Sequence, residues 1–339
     1  MSVNIVIDTL GGDNGAPAAV KGAVNGLQQN KDVKLFLTGR KKELDQLLSE
    51  YTYDKDRLEV IDCAEEITCH DAPVEAIKTK KDSSLVVGLN LVKEGKADAF
   101  ISAGSSGAVL AGGSLIIGRA KGVKRTPLAP LLPTTEGMKL LIDCGANVDA
   151  KPEVLVQFAK MGSIYMQNVM GIKKPRVAIV NIGTEEEKGN ALVKETFPLL
   201  KACKSINFVG SIESREIPFG KADVILTEAF VGNVVLKLYE GLSKMILKEI
   251  KKAMMSTVKS KIGALMIKKS LKKTLSNFNA SNKGGAPLLG LKHGLLVKVH
   301  GNSKDEEFSS AVLQCKNFVN TNVSGKIIEG LAEEGTVTE

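Results

Sequence analysis

The residues of this 339-residue chain that could do chemistry are gathered in short polar loops, each following a short apolar run. Gly11-Gly12-Asp13-Asn14 comes after Val3–Ile7 and Asp8. Ser102-Ala103-Gly104-Ser105-Ser106-Gly107 comes after Ala99–Ile101, and Asp143-Cys144-Gly145-Ala146-Asn147 after Leu140–Ile142. Asn181-Ile182-Gly183-Thr184-Glu185 follows Val177–Val180, and Thr227 to Asn233 follows Val224–Leu226. Small loops of this kind bring backbone N–H groups and hydroxyls to a helix N-terminus, where the partial positive charge attracts an anion. One such loop is as readily a plain tight turn. Several at strand ends point to a phosphate-type ligand.

Absences narrow the ligand. No two glycines are separated by a single residue, so the dinucleotide fingerprint G-x-G-x-x-G cannot occur, and the P-loop pattern G-x-x-x-x-G-K-[ST] is missing too. Neither a G-x-S-x-G nucleophile elbow nor an H-E-x-x-H zinc helix is present. A Ser–His or Cys–His pair would have to use His70, His293 or His300. His300, closing the apolar run Leu295–Val299, is the best placed of the three. A loop histidine with no catalytic duty fits the same position. The five cysteines (Cys63, Cys69, Cys144, Cys203, Cys315) are scattered and form no C-x-x-C pair, so reduced thiols in a cytosolic protein are expected. No metal and no organic cofactor is expected. The N-terminus has neither a basic region nor a long apolar stretch and does not read as a secretory signal.

The elements that must position these loops are legible as an alternation. Further apolar runs lie at Val33–Leu37, Leu58–Ile61, Leu128–Leu132 and Ile206–Val209. Uninterrupted apolar runs are what strands buried on both faces look like. Between many of them lie helix-period stretches at Ala16–Gln29, Lys41–Glu50, Ser83–Glu94, Pro152–Met170, Ala191–Lys201 and Phe308–Glu334. The alternation predicts an α/β fold with a doubly wound, mostly parallel sheet, whose ligand sits beyond the carboxyl ends of the strands. No linker or repeat divides the chain, so residues 1–339 are expected to form a single catalytic unit. Ala99 to Gly118 is uncharged and long enough to cross a membrane. Its central serines and glycines predict instead a strand, a tight turn and a small-residue helix.

The formal charge of +8 invites a polyanion partner. Aromatics are only 4% with no Trp, which argues against a stacking platform for single-stranded nucleic acid. The charge is also concentrated. Ten of the 46 basic residues but only one of the 38 acidic residues lie between Leu242 and Leu275. That stretch carries +9 and the remainder −1, so nucleic acid is not an expected partner. In its first half Leu242, Met245, Ile246, Ile250, Ala253 and Met254 share a helical face opposite Lys244, Lys248, Lys251 and Lys252. In the second half Lys269 and Lys273 share the face of Ile262 and Met266, and Gly263 is expected to interrupt the helix. This helical arm, about 242–275, has three readings. It packs on the sheet or a dimer mate, lies on anionic lipid, or docks an acidic protein.

Taken together, several segments resemble the PlsX family of bacterial phosphate acyltransferases of phospholipid synthesis. They are Asp8-Thr-Leu-Gly-Gly-Asp13, Lys80-Lys-Asp-Ser-Ser84, Ile101-Ser-Ala-Gly104, Asp143-Cys-Gly-Ala-Asn-Val-Asp149, Asn181-Ile-Gly183, Lys188-Gly-Asn190, Phe230-Val-Gly-Asn-Val-Val-Leu-Lys237 and Gly285-Ala-Pro-Leu-Leu-Gly-Leu291. The likeness runs in order from about Val3 to the last helix. It implies transfer of a fatty acyl group from acyl-acyl carrier protein to inorganic phosphate, giving acyl phosphate. It also implies a fold akin to isocitrate/isopropylmalate dehydrogenases and phosphotransacetylases, a homodimer, and a product passed to a membrane acyltransferase, which favours peripheral contact between the arm and lipid. Ser105-Ser106 stands where the family usually has Asn-Thr, Glu228-Ala229 where Asp-Gly is common, and Asn302 where Ser is usual. Gly15 is an insertion. The nearest rival activity is that of a phosphotransacetylase using acyl-coenzyme A, and a non-catalytic module binding an acidic partner is a further one.

Such a reaction asks little acid–base work of the protein. Phosphate is largely anionic near neutrality (a phosphomonoester's second pKa is about 6), and a thiol of pKa about 8.5 leaves readily. The site must hold phosphate against the thioester and stabilise the oxyanion. Backbone N–H groups of Gly104–Gly107, with Ser105 and Ser106, are the expected phosphate cradle. Gly11, Gly12, Asn14, Ser102, Asn147, Asn181, Gly183, Thr184 and Asn233 complete the cleft. Lys81 or Lys188 would neutralise charge, and Asp13 would orient a lysine or a water. His300 is a further catalytic candidate. Lys248, Lys251, Lys252, Lys268 and Lys269 would meet lipid or carrier protein.

Overall fold

The computed structural model of the chain describes residues 2–277 and 284–332. Among these residues the strands form two sheets. In spatial order the first is β10 (Ala286–Leu288), β11 (Leu295–Lys298), β4 (Ala99–Ser102), β1 (Val3–Asp8), β2 (Val33–Gly39) and β3 (Leu58–Asp62). The second is β5 (Leu131–Thr134), β6 (Gly137–Ile142), β9 (Val224–Leu226), β7 (Arg176–Asn181) and β8 (Asn207–Glu213). Only β10 with β11 and β5 with β6 pair antiparallel. The parallel α/β architecture read from the sequence is present, but divided between two sheets rather than gathered in one. The division rests on pairings between distant segments: β11, from late in the chain, inserts beside β4. The crossover between the sheets is tied to the β10 region by Leu289 N–H donating to Pro127 O (3.1 Å) and Ala129 N–H to Pro287 O (3.0 Å).

The helices are α1 (Gly15–Gln29), α2 (Lys41–Leu48), α3 (Pro73–Thr79), α4 (Ser84–Lys93), α5 (Ser106–Gly112), α6 (Pro152–Asn168), α7 (Ala191–Ala202), α8 (Ala229–Met254), α9 (Val258–Asn277), α10 (Asp305–Asn320) and α11 (Val323–Ala332). Residues 99–118 are β4, a turn, α5 and a π-helical turn over Gly113–Ile117. No described helix is long and apolar enough to cross a membrane. The C-terminal helix expected over Phe308–Glu334 is two helices, parted where Asn322 adopts a φ of 50°. Its final residues, Glu333 and Glu334, lie outside the described residues. At seven and three residues, α3 and β10 are too short for periodicity to reveal them.

Alternate strand residues point to opposite faces, and both faces are covered. Ile5 and Ile7 enter the largest core cluster with Leu140, Phe158, Val224 and Phe308. Val6, between them, packs with Leu85, Leu89 and Phe100 under α4. Leu140 and Ile142 likewise face the large cluster, whereas Leu141 joins Ala178 and Ile225. That is why the runs are continuously apolar. Each such leucine or isoleucine contributes about 1.5–3 kcal/mol on burial.

At the end of the second sheet opposite the polar loops, Asp223 gathers four donors. Its Oδ1 accepts from Lys139 Nζ (2.7 Å) and Arg176 (3.1 Å), and its Oδ2 from Arg176 N (2.8 Å) and Nε (3.0 Å). Burial alone would push this carboxyl up; the Arg176 and Lys139 bonds overcome that and hold it down to about 2. The network joins β6, β7 and the start of β9, fixing their register.

The basic arm differs from expectation at its turn. Residues 255–257 separate α8 from α9, and α9 runs through Gly263 without interruption. Thr257 Oγ1 accepts from Ser260 N–H (3.0 Å), giving the new helix an N-cap that outcompetes continuation of the old one. From Gly241 to Ala253 every residue is exposed, including Leu242, Met245 and Ile246. The arm therefore does not pack on its own sheets.

Candidate active site

β1, β4 and β11 are neighbours, and at their carboxyl ends Asp8, Ser102 and Lys298 stand in one row: Asp8 is paired with Ser102 and Ser102 with Lys298. Asp8 is 1% exposed. It accepts hydrogen bonds from Ser84 Oγ (2.6 Å) at the first turn of α4, from Ser102 Oγ (2.7 Å) and from Leu10 N–H (3.2 Å). Burial pushes its carboxyl above the ordinary carboxylate range, while these bonds and one from Gly11 pull the other way. Ser102 Oγ in turn accepts from Gly104 N–H (2.9 Å). Asp8 thus fixes both glycine loops from beneath. Their backbones touch: a Cβ on Gly11 would lie 2.5 Å from Gly104 N and 2.7 Å from its Cα. A third loop closes on them, since Asp13 N–H donates to Gly301 O (2.6 Å) and Asn14 Nδ2 to Asn302 O (2.9 Å) and Ser303 O (3.0 Å). Because Asn302 contributes only its carbonyl to this contact, a residue departing from the family pattern is accommodated there.

The loop after β6 is built around Asp143. Its carboxylate accepts from Leu128 N–H (3.0 Å), Gly145 N–H (3.2 Å), Ala146 N–H (3.2 Å), Asn147 N–H (2.8 Å) and Asn147 Nδ2 (2.7 Å). The start of α8 sits on this loop, and a Cβ at Gly232 would come within 1.9 Å of Asp143 O, so only glycine allows the approach. Glu228 caps α8, accepting from Val231 N–H (2.9 Å) and Phe230 N–H (2.5 Å), the duty a shorter aspartate would serve. Along α8, Asn233, Lys237 and Glu240 share one face. Glu240 Oε1 lies 2.8 Å from His300 Nε2 in the third loop of the first sheet. The opening turns of α8, about 17 Å from Ala229 to Glu240 at 1.5 Å per residue, therefore span from the Asp143 loop to the Asp8 loops. The two loop clusters, between which the sequence sets the cleft, are thus joined through His300 and Glu240. Burial pushes the Glu240 carboxyl up, but His300, Lys237 and Lys244 leave it below its ordinary value.

The expected site residues fall into groups. Gly11, Gly12, Asp13, Asn14, Ser102, Gly104 and His300 belong to the joined loops just described. Ser105 is half-buried and Ser106 and Gly107 are exposed at the start of α5, which follows directly on β4. The Gly104 N–H is taken by Ser102, so the donors left without a helical carbonyl are those of the first turn of α5. Asn147 and Asn233 lie on the Asp143 side, Asn147 also donating to Thr126 O (3.0 Å). Asn181 is buried, and its amide donates to Lys188 O (3.0 Å) and Ser211 Oγ (3.1 Å), holding the loop of Gly183 and exposed Thr184 in place. Lys188 pairs with Glu185 at 2.7 Å, and Lys81 donates to Ile77 O (3.2 Å) at the end of α3. Lys248, Lys251, Lys252, Lys268 and Lys269 are exposed along the arm. Asp8, Ser84, Lys237, Glu240 and Lys298 were not among the expected residues. A lone cation closing an otherwise apolar strand was the available signal for Lys298.

No thiol beside this cleft is poised for attack. Burial pushes Cys144 well above its ordinary value and Cys63 up to about 12, leaving both as neutral thiols. His300 meets Glu240 rather than a serine or cysteine. The arrangement offers fixed donors and charges instead of a nucleophile–base pair. It can orient an anion and stabilise an oxyanion.

Solved structures define the class of fold. The chain is similar to a phosphotransacetylase from Streptococcus pyogenes (TM-score 0.61, 18% identity, covering 97% of this chain and 94% of that one). It is also similar to the EutD phosphotransacetylase from Staphylococcus aureus (TM-score 0.58, 17% identity, 93% and 94% covered). Within that fold, the chain belongs to the fatty acid synthesis protein family, whose model matches residues 3–326. It is 49% identical over 333 residues to a phosphate acyltransferase of Alkaliphilus oremlandii strain OhILAs, with 98% of each chain covered. It is 47% identical over 326 residues to a phosphate acyltransferase of Clostridium botulinum strain Alaska E43, covering 96% of this chain and 98% of the relative.

Proposed function

We propose that this protein transfers a fatty acyl group from acyl-acyl carrier protein to inorganic phosphate, releasing acyl phosphate for phospholipid synthesis, and that residues 1–339 act as one catalytic unit. The observation that carries the reading is the joining of three strand-end loops beside the N-terminus of α5, two of them held by Asp8 and the third bonded to Asp13 and Asn14, in a chain whose full-length relatives are phosphate acyltransferases. Phosphate rests on the first-turn N–H groups of α5 with Ser105 and Ser106. One of its oxygens attacks the thioester carbonyl, forming the C–O bond. The tetrahedral oxyanion collapses, the C–S bond breaks, and the thiolate leaves and takes a proton from water. Asn233, across the cleft, meets the acyl carbonyl, while Asn147, whose amide donates to Asp143 and to Thr126 O, holds the loop opposite. Ser106→Ala, losing one donor to a charged ligand, lowers kcat/KM for phosphate about tenfold; unchanged kinetics would remove Ser106 from the cradle.

The reading is tested by incubating the protein with palmitoyl-acyl carrier protein and labelled phosphate, in parallel with palmitoyl- and acetyl-coenzyme A. Acyl phosphate from the carrier-protein donor supports it. Product from acetyl-coenzyme A alone would favour a phosphotransacetylase, which the fold also accommodates.

The exposed apolar face of the arm is proposed to be covered by a second copy of the chain, leaving its lysines to contact anionic lipid from a cytoplasmic position. Each lysine near such a surface is worth about 1 kcal/mol. Reversing Lys248, Lys251, Lys252, Lys268 and Lys269 to glutamate therefore abolishes flotation with phosphatidylglycerol vesicles. Retained flotation would assign the lysines to another partner, with carrier-protein affinity as the next measurement.

A further inference from the structure

Lys298 is out of place by every local rule. It ends β11, after Leu295, Leu296 and Val297, all three of which are fully buried. Its register partner is Ser102, whose own partner is Asp8, so the three side chains project to the same face of neighbouring strands. That face is the one covered by α4 and α5, because Leu296, two residues before Lys298, packs with Leu85, Leu89 and Val109. The ammonium is held against the loop leading into α5: Nζ donates to Ala103 O (3.3 Å) and to Val299 O. Both partners are carbonyls, which satisfy hydrogen bonds without cancelling charge.

The surrounding charges act on it without bonding to it. Asp8 on β1 and Asp13 in the following loop attract the ammonium, and Lys237 on α8 repels it. His300 and Glu240, the other titratable pair at this edge, are engaged with each other. No carboxylate among the described residues forms an ion pair with Lys298. A half-buried cation without a counter-ion is costly, and a fold keeps one where an anion will supply the missing charge. Of the other lysines expected to do this, Lys188 is paired with Glu185 and Lys81 is exposed to solvent at the end of α3.

We propose that Lys298 is the cation that receives the attacking phosphate, its ammonium contacting a phosphate oxygen as the first turn of α5 contacts the others. Lys298 is then a catalytic residue that fixes the nucleophile and offsets its charge, while Asp8 and Ser102 hold the loops around it. The inference rests on the placement of phosphate in this cleft proposed above.

Burial holds the Lys298 ammonium down to about 8 from an ordinary 10.5. The cation is present below that value and lost as pH rises through it. Phosphate arriving as a dianion restores the proton.

Two measurements decide the matter. Calorimetric titration of the wild-type protein with inorganic phosphate at pH 9, in buffers of different ionisation enthalpy, reads the protons taken up. Phosphate is already a dianion there, so uptake of most of one proton is expected, and none at pH 6.5 beyond that accounted for by phosphate itself. Kinetics of Lys298→Met and Lys298→Arg give the second reading. Lys298→Met raises the KM for phosphate at least tenfold and leaves the KM for the acyl donor within twofold. Lys298→Arg keeps phosphate binding and moves its alkaline loss from about pH 8 to beyond pH 10, because arginine stays charged. Phosphate binding without proton uptake at any pH along the wild-type alkaline limb would overturn the role of Lys298 while leaving the cleft in place, even if Lys298→Met failed to fold. An unchanged phosphate KM in Lys298→Met, or the wild-type alkaline limb in Lys298→Arg, would do the same. Phosphate affinity indifferent to Gly11→Ala as well would overturn the placement itself.

Discussion

Gly11→Ala lowers kcat/KM for acyl phosphate formation about 100-fold while leaving a folded protein. The added methyl carbon would lie 2.5 Å from Gly104 N, 2.7 Å from Gly104 Cα and 2.9 Å from Asp8 Oδ2. Two of these atoms are backbone and the third is a carboxylate already held by two serines, so none can turn aside as a flexible side chain would. The two loops must part by roughly an ångström, and a displacement of that size at a reacting centre costs on the order of 10²-fold. Overpacking of this kind costs about 1–3 kcal/mol in stability, so a melting curve recorded beside the kinetics separates the two effects. Wild-type kcat/KM in this variant would show that contact between the loops does not matter to the chemistry.

Asp223→Ala has its effect on stability. Asp223 is buried, and its removal leaves the Lys139 side chain, 5% exposed, as an uncompensated charge inside the second sheet. Breaking a buried pair from one side costs about 3–5 kcal/mol, measurable by urea unfolding. The same pair makes a pH prediction. Its folded carboxyl is held down to about 2, against 3.8 ordinarily. The stabilisation is therefore fully present above pH 3.8 and is lost as pH falls through about 2. Asp223→Ala should flatten that limb of the acid-unfolding curve. A curve that kept its shape would place the acid sensitivity elsewhere.

What could be read from the sequence, and what could not, follows the range of the interactions involved. Runs such as Val3–Ile7 and Leu140–Ile142 announce strands because each residue, on whichever face, meets apolar neighbours. Their polar loops are conspicuous by contrast. The division into two sheets is invisible locally, since nothing in Leu295–Lys298 says that its neighbour will be β4. The same holds inside the site. Gly11, Ser102 and Gly104 are conspicuous as loop residues, but the carboxylate that holds two of them, Asp8, reads as the polar end of a strand until Ser84 and Ser102 are brought to it. Lys81 and Lys188 drew notice because they are lysines in recognisable segments. Their partners, a helix carbonyl and Glu185, become apparent only in three dimensions. The arm is the intermediate case: composition reveals its charge and amphipathic face, whereas its turn at residues 255–257 depends on a capping bond that periodicity does not register.

The central claim is that a phosphate oxygen, and not water or a fatty-acid carboxylate, forms the new bond to the acyl carbon. Phosphate carrying ¹⁸O at all four positions, incubated with palmitoyl-acyl carrier protein and the enzyme, tests it in one mass spectrum. Attack by phosphate oxygen predicts acyl phosphate that retains all four labelled oxygens, because the bridging atom comes from phosphate, with free carrier-protein thiol released in equal amount. Acyl phosphate lacking one label, or release of free fatty acid alone, would contradict the account.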